Sequence, residues 1–342
     1  MDVKAMRAKA KERLKGYCRV CPVCNGVVCA GEVPGVGGVG SGSSFRANID
    51  ALAKIRFNMR TIHQVKSVRT SRKLFGQEIA MPILGAPMTG VSYNFGGDMG
   101  EDEFAGIMIR GAIAAGTLGM TGDGADPAMF EGGLAAIAAN GGAGMPIVKP
   151  RAQEEVIRLV KMAEAAGAIA VGMDIDGAGL VTMAMKGQPV GPKTPEELRE
   201  VIGSTPLPFI LKGIMTPDEA EMAVEVGAAA IVVSNHGGRV LDCTPGAAAV
   251  LGRIAAAVKG KVVVLADGGV RSGADVLKYL ALGADAVLVG RPLVVGAFGD
   301  AADGVASLLQ TMRGELVQAM LLTGAASVDD VSPRILHDDC RH

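Results

Sequence analysis

The chain has 342 residues carrying 34 basic and 35 acidic side chains, a net charge of −1 with the signs mixed along its length, so no basic stripe marks a nucleic-acid or anionic-membrane surface. Its apolar runs are short and broken by glycine, and no apolar segment follows the basic helical start MDVKAMRAKAKERLKG, so a bilayer span and a secretory leader are not expected. A cytoplasmic protein with a small-molecule partner is the expectation, and the length suits one large α/β domain plus an N-terminal arm.

The arm is assigned to residues 1–47. Its helical start leads into YCRVCPVCNGVVC and then the glycine-rich GEVPGVGGVGSG. Cys18, Cys21, Cys24 and Cys29 stand at C-x2-C-x2-C-x4-C. Cysteines in a cytosolic chain do not predict disulfides, whereas four within twelve residues suit ligation. The spacing favours an iron–sulfur cluster over zinc, because structural zinc usually takes two separated C-x2-C knuckles. A loop whose thiols bind nothing and merely cover the mouth of the domain is the third reading.

From residue 48 to 342, β-branched apolar runs alternate with helical patterns. The strand candidates are 82–86, 116–120, 145–149, 169–175, 208–212, 230–234, 262–266 and 286–289. Helices are expected between them, among them 153–166, 217–226 and 273–282, with Thr216 and Ser272 as caps of the last two. Eight βα units close a (β/α)8 TIM barrel. An open doubly wound sheet would need a Gly-x-Gly-x-x-Gly turn after its first strand, and LGAPMTGVSYNFGG does not supply one. With 49 glycines, no tryptophan and 3% aromatic residues, tight turns are many and the core falls to Ala, Val, Ile, Leu and Met.

Barrel chemistry sits at the C-terminal ends of the strands. The polar residues there are Thr89, Asp123, Lys149, Asp174, Asp176, Lys212, Ser234, Asn235, His236, Asp267 and Arg291. Only His236 among them is tuned to move protons near neutral pH. Asp174 and Asp176 share one strand face and need partners there, unless they serve the DIDG turn. The turns ADGGVRSG and VGRP bring Arg271 and Arg291 to successive strand ends, which suits a phosphate and implies a phosphorylated cofactor.

The segments LKGI, SNHGGRVLD and DGGVRSGADVLKYLALGADAVLVGRP resemble the FMN-dependent α-hydroxy acid oxidase and dehydrogenase family, of which glycolate oxidase and flavocytochrome-type lactate dehydrogenases are typical. The likeness is specific from about residue 208 to 296, looser from 48 to 176, and absent from the first forty. It implies FMN as cofactor, with Pro87, Met88 and Thr89 lining the flavin ring, Lys212 beside N1 and O2, and Ser234 and Gly237 nearby. It further implies His236 as catalytic base, Asp176 as the carboxylate orienting it, and Arg239 as the group that grips the substrate carboxylate. Asp267 would take ribityl hydroxyls, and Gly269, Arg271, Gly290 and Arg291 the phosphate. A homo-oligomer, tetramer or octamer, is implied, and a cluster near the flavin would suit an electron-carrier protein as partner.

Two departures stand out. The family's two substrate-facing tyrosines are absent, which leaves Tyr93, Lys149 and Arg151 as candidates near those positions. The loop after the fourth strand lacks the second carboxylate-binding arginine, with Lys186 as the candidate cation there. An FMN-dependent isomerase of the type 2 isopentenyl diphosphate kind and a flavin redox sensor are the alternatives to hydroxy acid oxidation.

Overall fold

The structure, a computed structural model, describes residues 2–337. Two arm helices, α1 (Val3–Arg13) and α2 (Ser43–Lys54), precede a short antiparallel hairpin, β1 (Arg72–Leu74) and β2 (Gln77–Ile79). Eight parallel strands follow: β3 (Ile83–Met88), β4 (Gly119–Thr121), β5 (Gly144–Val148), β6 (Val171–Asp174), β7 (Phe209–Ile214), β8 (Ala230–Val233), β9 (Val263–Ala266) and β10 (Ala286–Val289). They pair in chain order and close with β10 against β3, which is the expected TIM barrel.

Each strand is buried on both faces, which is why its residues read as unbroken apolar runs. Leu84, Met120, Met145, Ile210, Val232 and Leu288 fill the interior, while Leu211, Ile231, Val233, Val264, Val287 and Val289 pack outward under the helices. The hairpin, which sequence reasoning did not anticipate, sends Leu74 and Ile79 into the interior cluster and stoppers the barrel. Its two strands are three residues each, too short for a period-2 pattern to register. The expected helices form at Gln153–Ala165, Pro217–Glu225 and Gly273–Ala281. Thr216 and Ser272 accept from the backbone amides of Glu219 and Asp275, the capping anticipated from the sequence. The long apolar helix Arg291–Thr323 breaks at Asp300 and Ala301 and lies against α1 and the helix Glu101–Ala114.

The arm is built into the barrel mouth. Asp242, beyond β8, accepts from the Ser41 and Ser43 amides at 2.6 and 3.0 Å and from the Ser43 hydroxyl at 2.5 Å, fixing the start of α2. These bonds hold the Asp242 carboxyl below the usual carboxylate range. Buried Asn48 of α2 donates to Asn235 at 2.7 Å. At Gly238 (φ +79°) an added Cβ would land on the Phe45 backbone. Gly238→Ala is therefore expected to cost about 1–3 kcal/mol from the strained backbone alone, seen as a lower urea midpoint, with more if α2 is displaced.

Candidate active site

At the C-terminal mouth of the barrel, the turn after β8 sets the site. His236, Gly237 and Gly238 all adopt left-handed backbone, at φ of 56°, 63° and 79°. Two glycines make such a turn affordable, and His236 holds the conformation at a cost that marks functional backbone. Asn235 accepts from the Gly238 amide at 3.2 Å, and the Ser234 hydroxyl accepts from the His236 amide at 3.0 Å. Ser234 is thus a buried prop under the histidine and does not line the cavity.

His236 Nδ1 lies 3.0 Å from Asp176 Oδ1 and 3.4 Å from Asp174 Oδ1. Two carboxylates accept there, so Nδ1 carries the proton and Nε2 is left with its lone pair. The sequence assigned the orienting carboxylate to Asp176, and the structure adds Asp174 at the end of β6. Lys149 and Lys212 bind Asp174 at 2.5 and 3.0 Å, with Asp267 at 3.9 Å from Lys212. Burial pushes Asp174 up, but His236, Lys149 and Lys212 hold it well below the usual carboxylate range. Burial, reinforced by Asp174, raises Asp176 against the pull of His236. Lys212 is raised, because Asp174, Asp176 and Asp267 outweigh its burial.

Arg239 donates to the Gly35 carbonyl and to Asn94 Oδ1, the latter at 3.0 Å. Among the described residues no carboxylate pairs with it. Burial lowers it to about 10, which still leaves it charged at neutral pH. A guanidinium held by neutral acceptors at a cavity wall is suited to an incoming anion. Tyr93 also lines the cavity, with its hydroxyl 3.5 Å from Met129 Sδ and burial pushing it up to about 12. Lys149 is committed to Asp174, and Arg151 to Asp123 at 2.9 Å, so neither projects a free charge. Lys186 lies at the end of the short helix Val181–Met185 and does not line the cavity.

The remaining predicted residues line the same cavity. Pro87, Met88 and Thr89 form its wall at the end of β3, and Gly237, Asp267, Gly269, Arg271, Gly290 and Arg291 extend it across β8, β9 and β10. Arg291 donates to the carbonyls of Val36, Gly37 and Gly237 at 2.7, 3.1 and 3.0 Å and stacks 3.8 Å from the Phe45 ring centroid. Burial and the neighbouring Arg239 and Arg271 lower it to about 9. Arg271, expected at the phosphate, lines the cavity while its guanidinium also reaches Cys24, donating to the carbonyl at 3.2 Å and to Sγ at 3.3 Å.

These residues fit a flavin mononucleotide. Asp267 Oδ1 is buried without a hydrogen-bond partner at the cavity wall, where a hydroxyl would satisfy it. Arg291 offers cationic surface without an acid partner among the described residues. Sequence reasoning missed Asn94, which bonds Arg239, the Gly35 amide and the Thr89 carbonyl, and Glu101, which accepts from Thr89 and Gly90. Asn94 acts from the single-turn helix Val91–Phe95 and Glu101 from the start of the next helix, neither with a motif of its own.

Residues 36–186 and 177–338 match the model of the FMN-dependent dehydrogenase family. The chain belongs to that family. The chain is 32% identical to a peroxisomal (S)-2-hydroxyacid oxidase of Arabidopsis thaliana, over 86% of its own length and 88% of the relative's. It is 31% identical to a 2-hydroxyacid oxidase of Dictyostelium discoideum, with 86% and 82% covered. Its fold superposes on a mandelate oxidase variant with 2-hydroxy-phenylacetamide at a TM-score of 0.80 and 33% identity, covering 98% of this chain and 97% of the other. A mandelate oxidase mutant with a monooxide FMN adduct gives 0.75 and 36%, covering 91% and 98%.

Among the described residues, the only three metal-ligating side chains whose donor atoms lie within 4.8 Å of one another are Asp174, Asp176 and His236. The four arm cysteines are therefore not gathered around one ion. A tetrahedral zinc site with Zn–S near 2.3 Å would set its sulfurs about 3.8 Å apart.

Proposed function

We propose that the protein oxidises a 2-hydroxy acid to the 2-oxo acid, and the pairing of His236 with Arg239 in one cavity carries this reading. With Nδ1 committed to Asp176 and Asp174, His236 has Nε2 available to take the hydroxyl proton of a substrate. Asp176 and Asp174 then stabilise the imidazolium. Arg239 holds the substrate carboxylate, supplying the anion its own surroundings lack. Bound FMN supplies the hydride acceptor for the substrate's α-hydrogen. Lys212, which lines the same cavity, would offset negative charge gathering on the flavin ring, and Asp267 and Arg291 would hold the ribityl and phosphate parts. The relatives' names, 2-hydroxyacid oxidase and mandelate oxidase, support this substrate class, and the family match favours it over the isomerase reading.

Removing the carboxylate grip tests substrate class directly. Arg239→Met is expected to raise KM for a 2-hydroxy acid roughly 10- to 100-fold, the worth of a charge-assisted hydrogen bond. Trapping the product with phenylhydrazine should give the hydrazone of the matching 2-oxo acid. A panel of aliphatic and aromatic 2-hydroxy acids that yields no 2-oxo acid with the flavin-loaded enzyme would overturn the proposal.

A further inference from the structure

A second cavity, of about 450 Å³, lies between the arm and the last two strand ends, and Cys18, Cys21, Cys24 and Cys29 all line it. That is three times the roughly 150 Å³ that encloses a benzene in a protein core. Its walls are largely apolar, with Met6, Phe45 and Leu52 among them. It borders the flavin cavity, sharing Gly269, Arg271 and Arg291 with it. We infer that these four cysteines hold one four-iron, four-sulfur cluster beside the phosphate end of the flavin site.

Several independent features favour that ligand. The sulfurs do not converge on a point, as a single zinc ion would require, yet all four cysteines line one chamber. A four-iron cluster asks for this, since each thiolate binds its own iron and the sulfurs stand further apart. Hydrogen bonds already reach two of the sulfurs, from the Val20 amide to Cys18 at 3.4 Å and from Arg271 to Cys24 at 3.3 Å. Such bonds to sulfur are a means by which proteins tune a cluster. The charge also fits. Arg7, Arg271 and Arg291 line the chamber with no acid paired to them among the described residues, while Arg19 and Lys278 in the same wall are paired with Glu32 and Asp275, and four thiolates with their cluster would supply anionic charge. Arg7 fixes the loop by donating to the carbonyls of Val20 and Cys21 at 3.2 and 2.7 Å, and Val20 (φ 48°) and Gly26 (φ 79°) turn the chain left-handed between the cysteines.

The test is made on the full chain, produced and purified without oxygen and reconstituted with ferric iron, a thiol reductant and sulfide. Iron, acid-labile sulfide, zinc and flavin are counted separately, so the result does not depend on whether a hydroxy acid is oxidised. About four irons and four sulfides per chain are expected, with broad absorption near roughly 400 nm that dithionite bleaches. In Cys21→Ala/Cys24→Ala, iron and sulfide should fall at least about tenfold while flavin content is kept, and Cys243→Ser, at an exposed cysteine outside the chamber, should keep both. About one zinc without sulfide, about two irons, neither metal nor sulfide, or iron unchanged in the double variant would each overturn the assignment.

Discussion

Replacing His236 with asparagine is expected to lower kcat about 100- to 10,000-fold while FMN stays bound, the range attributed to a positioned general base. Asparagine keeps a polar group near Asp176 but offers no lone pair of comparable basicity where Nε2 stood. The two carboxylates beside Nδ1, at 3.0 and 3.4 Å, would then face a side chain that cannot become a cation, and their stabilisation of the reacting state is lost. Steady-state turnover with the flavin absorbance recorded on the same sample separates this loss from a failure to load cofactor. A variant that turns over within threefold of the parent would remove His236 from the chemistry.

Lys212→Met is expected to have the largest effect on stability. Lys212 and Asp174 are both buried and lie 3.0 Å apart, so removing the cation leaves a carboxylate in the barrel mouth with less compensation. Breaking a buried pair costs about 3–5 kcal/mol, and the lower end applies because Lys149 still holds Asp174 at 2.5 Å. A urea midpoint, read with and without added FMN, measures it, and an unchanged midpoint would contradict the pairing. The pH dependence follows from the directions of the two shifts. Lys212 is raised, so its contribution is complete below about 10.4 and is lost as pH rises through its higher folded value. Asp174 is lowered, so its contribution is present above about 3.9 and is lost as pH falls through its lower folded value. Across neutral pH the parent therefore keeps the whole of this pair.

The barrel was legible because buried parallel strands write themselves as apolar runs, and all eight runs became strands, from β3 at Ile83–Met88 to β10 at Ala286–Val289. The loop after β8 was legible for a different reason. Three successive left-handed residues need glycine where they can have it, so His236 is followed by Gly237 and Gly238. What the sequence did not show are the contacts between distant segments. Nothing near Asp242 announces that it caps α2 some two hundred residues earlier, and nothing near Asn94 announces Arg239. Arg271 shows the same limit: its place in ADGGVRSG points to phosphate, while its guanidinium turns toward Cys24, supplied by the arm. Asp174 and Asp176 were equivalent by spacing, and only the closed barrel shows that Asp174 meets both lysines while both carboxylates meet His236.

The most direct measurement is an anaerobic visible spectrum of the flavin-loaded protein before and after adding a 2-hydroxy acid. Bleaching of the flavin bands by the acid in the parent, absent or at least about a hundredfold slower in His236→Asn, is the predicted result. Flavin bands that no 2-hydroxy acid bleaches, or that bleach equally fast without the histidine, would contradict the account.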